Sequence, residues 1–159
     1  MLIMRILSAA LLFVSAFWMS AAAISADIKV VPADEGDDQP FILIDGEIIA
    51  GDDEKFRKLA AEFSDAIVVL NSEGGAIYPA MDIGRTIKLR GYATVVLDGS
   101  SCASACALIW ISGSRRIIDG GGEVGFHASY LNTDGTKIET GVGNALVGHY
   151  LSQLGFGEK

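Results

Sequence analysis

Two β-branched apolar runs, Ala66-Ile-Val-Val-Leu70 and Tyr92-Ala-Thr-Val-Val-Leu97, are each followed by a cluster of small residues. The clusters are Asn71-Ser-Glu-Gly-Gly75 and Ser101-Cys-Ala-Ser-Ala-Cys106. Between them, Ile77, Ala80, Met81, Gly84 and Ile87 recur with helical spacing, and Lys88, Arg90 and Gly91 supply the expected C-terminal chemistry of a helix. Strand, helix and strand at this spacing predict a right-handed parallel crossover. A run that is apolar throughout predicts a strand buried on both faces. The chain is therefore read as α/β with a parallel core sheet. Its glycine loop and its hydroxyl-bearing cluster sit at the same end of neighbouring strands, where such folds keep their sites.

The remaining pattern extends this plan. Phe41–Ile44, the turn Asp45-Gly46 and Glu47–Ile49 read as a strand with a short continuation. Asp52 and Asp53 are predicted to cap a helix whose apolar positions are Phe56, Leu59, Ala60 and Phe63. Ser101–Ser112 reads as a further helix. Arg115–Ile118 and Glu123–Tyr130 read as strands around the Gly120-Gly-Gly122 turn, and Asn132–Thr136 as another turn. Asn144–Leu154 completes the series as a helix ending at Gly155.

The ends carry different signals. Met1–Arg5 holds one positive charge, Ile6–Met19 is continuously apolar, and small residues follow at Ala21-Ala22-Ala23 and Ser25-Ala26. This reads as a secretory signal peptide over residues 1–26, cleaved between Ala23 and Ala26. Its apolar core is short beside the ~20 residues of a spanning helix. The alternative is an uncleaved membrane anchor. The expectation is a periplasmic or secreted protein, in an oxidising compartment. Residues 27–40, with Asp34-Glu-Gly-Asp-Asp38, read as an acidic linker without the ligand pattern of a calcium loop. Removing the leader removes Arg5 only, taking the net charge from −8 to −9. With no basic stripe, nucleic acid is excluded as a partner. Residues 41–159, half of the whole chain being apolar, form one domain.

Acyl-transfer chemistry needs a nucleophile, a base, an orienter and oxyanion donors. Ser104 opens a helix after a buried strand, between two alanines that leave it accessible. The Ala105 amide then points toward a developing oxyanion, and the Gly74-Gly75 loop can bring a second backbone donor close. His127, by alternation on its strand, shares a face with Gly125 and Ser129, which suggests a cleft. Cys102 and Cys106 flank Ser104 either as a disulfide or as two buried thiols. No residue pair has zinc-site spacing with His127 or His149, and His149 reads as a structural residue at a helix edge. No cofactor is expected. A dinucleotide loop is excluded because no Gly-x-Gly-x-x-Gly follows a strand.

Asn71-Ser-Glu-Gly-Gly75, Cys102-Ala-Ser-Ala-Cys106 and Val124-Gly-Phe-His127 resemble, in order and separation, three signature segments of Clp-type serine proteases. These belong to the wider Clp/crotonase superfamily, which includes the signal-peptide-peptidase branch. The resemblance spans roughly Phe41–Tyr130 and is strongest to the periplasmic Clp-like serine proteases. It implies a parallel sheet with flanking helices built from repeated β-β-α units, and self-association. It also implies Ser104 as nucleophile, His127 as general base, and the Gly75 and Ala105 amides as the oxyanion hole. Two departures stand out. Glu73 replaces the family's proline, and the aspartate of the family's triad would fall beyond Lys159, so the domain is expected to be incomplete at its C-terminus. Asp119 and Asp134 read as turn residues. A Ser–Lys dyad would need Lys88 or Lys137 near Ser104. The function expected is an exported peptidase acting on a peptide or protein. The alternative is a catalytically inactive module that binds a peptide or partner. Acyl-thioester chemistry of the crotonase kind is disfavoured by export, because coenzyme A is cytoplasmic.

Overall fold

The computed structural model describes residues 25–31, 39–133 and 135–157. In chain order its elements are β1 (Asp27–Val31), β2 (Phe41–Asp45), α1 (Asp52–Ala60), β3 (Ile67–Asn71), α2 (Ile77–Arg90), β4 (Ala93–Val96) and β5 (Ser101–Ala103). Then come α3 (Ala105–Trp110), β6 (Arg116–Ile118), β7 (Glu123–Gly125), β8 (Tyr130–Thr133), β9 (Thr136–Glu139) and α4 (Gly141–Gln153). The main sheet has the order β1-β2-β3-β4-β6. Strands β2, β3, β4 and β6 run parallel, and β1 adds an antiparallel edge.

Each parallel strand is extended past its tip by a short second segment before its helix. Glu47-Ile48 follows β2, Ser72–Gly75 follows β3, β5 follows β4, and β7 follows β6. These segments pair with one another as parallel neighbours: Ile48 with Gly75, Ser72 with Cys102, and β5 with β7. The β-β-α repeat is thus present, and its second row of pairing runs across the strand tips. That row carries both small-residue clusters.

Burial explains the strand assignments. Val68 and Leu70 of β3 are fully buried with Phe56, Ala60, Ile83 and Ile87 of α1 and α2. Ile67 and Val69, on the other face, are only half-buried, so the expectation of two buried faces holds for one face of β3; β4 is the strand buried on both. A second cluster of Met81, Leu108, Tyr150 and Leu154 docks α4 on α2 and α3. The Tyr150 hydroxyl donates to the Leu108 carbonyl at 2.7 Å. It sits where a Cβ on Gly84 would lie 1.9 Å away, so only glycine admits it. Burial pushes the Tyr150 hydroxyl pKa well up.

Several boundaries differ from the sequence reading. The stretch expected as a linker opens with β1, because Ile28 is buried in the core and the strand pairs in full register with β2. The acidic residues 34–38 and the leader residues 1–24 lie outside the described residues. No helix among the described residues is long and apolar enough to cross a membrane. Helix α1 starts from Gly51 in the left-handed region (φ 96°), with no side-chain cap. The carboxylate of Asp52 turns back instead, accepting from the Ile49 N–H at 2.8 Å and from the Ser25 hydroxyl at 2.6 Å. Ser101–Ser112 is not one helix: 101–103 is strand β5, recruited by pairing with β7, and α3 begins only after Ser104. The strand expected over Glu123–Tyr130 stops at Gly125. Beyond the predicted turn, β9 pairs back on β8, and α4 begins at Gly141 with the Thr140 hydroxyl accepting from the Gly143 N–H at 2.7 Å.

Candidate active site

Ser104 stands between β5 and α3 with φ 57° and ψ −120°, the one non-glycine residue with positive φ among the described residues. Such a conformation costs about 1–3 kcal/mol and persists only where its surroundings over-determine it. Here they do. The Ser104 N–H donates to the Gly125 carbonyl at 2.8 Å, and the Ala103 N–H to the Ser72 carbonyl at 2.9 Å. A disulfide between Cys102 and Cys106, both fully buried, closes a five-residue ring around the serine. Of the two alternatives for these cysteines, the structure contains the bridge. The turn exposes the hydroxyl, which is half-accessible and makes no hydrogen bond among the described residues.

The glycine loop lies directly against this turn. At Gly74 (φ 105°) a Cβ would approach Ser104 Cβ to 2.7 Å and the Ala105 nitrogen to 2.9 Å; at Gly75 (φ 133°) it would stand 2.2 Å from the Ile48 carbonyl oxygen. Both the dihedrals and the space demand glycine. The loop is fixed by the Ile48 N–H donating to the Gly74 carbonyl and the Ala76 N–H to the Ile48 carbonyl, each at 2.8 Å. That ladder leaves the Gly75 N–H out. The Ala105 N–H, first in its helix, likewise has no place in the loop and cap bonding. Among the described residues neither has a hydrogen-bond partner, so both are donors available beside Ser104.

His127 comes from the loop after β7 rather than from a strand. Ser104, His127, Gly74, Gly75, Ser129 and Tyr130 line one cavity of about 590 Å³. Gly125, expected on the same face as His127, instead contributes its carbonyl to the Ser104 turn. Ser104 and His127 face this cavity without a direct hydrogen bond between them. The His127 Nδ1–H donates to the Ala128 carbonyl at 2.8 Å. A carbonyl only accepts, so this bond places the proton on Nδ1 and leaves Nε2 as the ring's acceptor. The Tyr130 ring stacks on the imidazole with centroids 5.1 Å apart, and the Lys137 ammonium lies 4.6 Å from the centre of the Tyr130 ring. A smaller hollow of about 60 Å³ adjoins this cavity, sharing Ile77, Ser104, His127 and Ser129 with it and adding Leu108, Phe126, Val147 and Leu151.

Other expectations fall out as follows. Asp119 is a turn residue, its N–H donating to the Val96 carbonyl and its carbonyl accepting from Gly122; Asp134 lies outside the described residues. Lys88 is eleven positions along α2 from cavity-lining Ile77, about 16 Å at the ordinary helical rise. The Lys137 ammonium lies over the Tyr130 ring, and among the described residues no hydrogen bond joins it to Ser104. Glu73 lies exposed on the cavity rim with Glu47. His149 is exposed on α4 beside Gln153, 3.0 Å between Nε2 atoms. Sequence reasoning missed Tyr130, Glu47 and the smaller hollow, because each enters through tertiary contact and not through a motif.

With this geometry in place, comparison with solved structures is informative about the fold. The 1510-N membrane-bound stomatin-specific protease, in a serine-to-alanine mutant form, matches with a TM-score of 0.57 at 20% identity over 70% of this chain. A mutant of ClpP1 from Listeria monocytogenes matches at 0.52 and 19% identity over 72% of this chain. The ClpP catalytic domain from Plasmodium falciparum matches at 0.54 and 19% identity over 72% of this chain. The chain spans 59% of the stomatin-specific protease structure, 68% of the Listeria one and 65% of the Plasmodium one. No family model and no curated protein matches the chain. What these structures show is the fold: an α/β chain folded like these proteases, with a mostly parallel sheet and flanking helices. The three motifs from which that fold was expected are the segments that meet around the cavity.

Proposed function

We propose that this protein is a serine peptidase of Clp type, with Ser104 as nucleophile, His127 as general base and the Gly75 and Ala105 amides as the oxyanion hole. The observation that carries the reading is the convergence of four groups around the Ser104 turn, three from residues lining the larger cavity and the fourth, the Ala105 N–H, from a residue lining the hollow beside it. They are a strained, accessible serine hydroxyl, a histidine with Nε2 free to accept, and two unengaged backbone N–H groups. Substrate binding would bring Ser104 Oγ–H to Nε2. As the new C–O bond forms, the hydroxyl proton moves to Nε2 and the carbonyl electrons move to the oxygen held by the two amides. Collapse breaks the C–N bond and returns the proton to the leaving amine. Water then repeats the sequence on the acyl-serine.

The cavity supports a substrate class as well. The small apolar hollow beside Ser104 fits a small apolar side chain next to the scissile bond, and the Glu47 and Glu73 carboxylates on the rim favour basic residues further out. A disulfide at the heart of the site supports an oxidising compartment, consistent with export of the chain. A binding module without catalysis is the second reading, and the absence of a Ser104–His127 hydrogen bond favours it. A fluorophosphonate probe separates the two. A catalytic site labels in the wild type and not in Ser104→Ala. A wild type that stays unlabelled while binding peptide supports the module.

A further inference from the structure

Among the described residues the His127 Nδ1–H meets no carboxylate, yet its hydrogen bond does not end at Ala128. The Ala128 carbonyl and the Ser129 N–H belong to one planar, resonance-coupled peptide group. That Ser129 N–H donates to Asn144 Oδ1 at 2.8 Å. Asn144 Nδ2–H in turn donates to Glu139 Oε1 at 2.7 Å. We propose that Glu139 is the acid of this site, coupled to His127 through Asn144 and the Ala128–Ser129 peptide group, with both side chains acting as positioning residues. The proposal rests on the peptidase reading above and deepens it.

The polarity of the chain is fully determined. A carboxylate only accepts, so Asn144 must present its NH₂ to Glu139 and its oxygen to Ser129, and no flipped amide satisfies both bonds. Negative charge on Glu139 draws the Asn144 N–H and raises electron density on Asn144 Oδ1. That oxygen polarises the Ser129 N–H, which makes the Ala128 carbonyl a stronger acceptor for the imidazole. Hydrogen bonds in series reinforce one another by about 10–30% each. Such a chain would hold the Nδ1–H tautomer and stabilise the imidazolium that forms when Ser104 is deprotonated, the task a buried acid performs in a Ser-His-Asp triad.

The scaffold holds the chain in place from both sides. The Thr140 N–H donates to the Ser129 carbonyl at 2.9 Å, and Thr140 caps the helix that carries Asn144. Where that helix passes Ser129 there is room only for glycine: a Cβ on Gly143 would lie 2.6 Å from Ser129 Cβ. The ring itself is braced by Tyr130. The Lys137 ammonium over the Tyr130 ring is a charge opposing the relay, and Glu139 on the same strand counters it.

The test combines labelling kinetics with ¹⁵N NMR of the His127 ring, on the full, disulfide-intact chain. Glu139→Gln is isosteric, and its side-chain oxygen still accepts from Asn144, so a merely structural role leaves it unchanged. The relay requires a roughly threefold slower fluorophosphonate reaction, from loss of a screened charge. It also requires an upfield move of the Nδ1–H proton resonance, at an unchanged melting temperature. Asn144→Leu cuts the chain, and is expected to slow labelling about tenfold or more by releasing the Nδ1–H tautomer. A wild-type His127 that is mainly Nε2–H overturns the proposal. So does a Glu139→Gln variant whose Nδ1–H resonance and labelling rate match the wild type. If the wild type does not label at all, the peptidase reading fails. The NMR arm still decides the relay: Nδ1–H in the wild type, weakened in Glu139→Gln and lost in Asn144→Leu, sustains it.

Discussion

The two halves of the candidate site, the proposed nucleophile Ser104 and the proposed base His127, are built by different means. Around Ser104 the support is backbone and covalent: the turn is pinned to Ser72 and Gly125, packed against glycines that admit no Cβ, and ringed by a disulfide. Around His127 the chain has left its strand, the imidazole is exposed, and position depends on side chains of a hairpin and the first turn of α4. The contrast teaches where each half can fail. The first half should respond to steric insult with loss of fold and function together. The second should lose rate while the fold survives.

Gly74→Ala is expected to break the comparison hardest. Its Cβ would press on Ser104 Cβ and the Ala105 nitrogen in a dihedral region unfavourable to alanine, for a destabilisation of about 3 kcal/mol and loss of labelling. Urea unfolding and probe labelling check both. Reducing the Cys102–Cys106 bridge comes next. Closing so short a loop stabilises by about 2 kcal/mol on chain entropy alone, and its loss frees Ser104 from its strained turn. Thermal melts and labelling with and without a dithiol reductant should therefore fall together; a melt that falls without slower labelling would uncouple the bridge from the nucleophile.

Tyr150→Phe leaves the buried Leu108 carbonyl without its donor, about 1–2 kcal/mol of stability, and should leave labelling nearly intact because Tyr150 lines neither the cavity nor the hollow. The same residue gives a pH signature. Its hydroxyl titrates higher in the folded state than its ordinary 10.0, so above pH 10 the unfolded chain releases a proton that the folded chain keeps. Stability is then full below pH 10 and declines as pH rises beyond it. Denaturant melts between about pH 9 and 11 should show that decline in the wild type and less of it in Tyr150→Phe. Glu73→Gln is the mildest probe: removing a rim carboxylate beside the oxyanion loop should speed acylation about twofold, within the range of an exposed, screened charge. An unchanged rate would mean that Glu73 is solvated away from the oxyanion.

The same division governs what could be read from the residues alone. The Ala66–Leu70 and Tyr92–Leu97 runs, Gly74-Gly75 and Ser104 are local patterns whose physics is local: β-branching, positive φ and a helix start. As strands and loops they were legible to within a residue or so at each end. Ser101–Cys102–Ala103 read as helix because small residues carry little period, and only pairing with β7 makes them strand. His127 was expected as the base from strand alternation and from the resemblance, but its loop, its Tyr130 stack and its partner carbonyl depend on tertiary folding. Asn144 and Glu139 looked like an ordinary helix residue and an ordinary strand charge. No spacing rule connects them to a histidine seventeen and twelve positions away in sequence.

The central claim is that the strained turn presents a nucleophile. Mass-spectrometric mapping of the fluorophosphonate adduct on the disulfide-intact chain tests it most directly. The account requires one adduct, on Ser104, abolished in Ser104→Ala and strongly slowed in His127→Ala. An adduct elsewhere, no adduct, or equal labelling of the His127→Ala variant would contradict it.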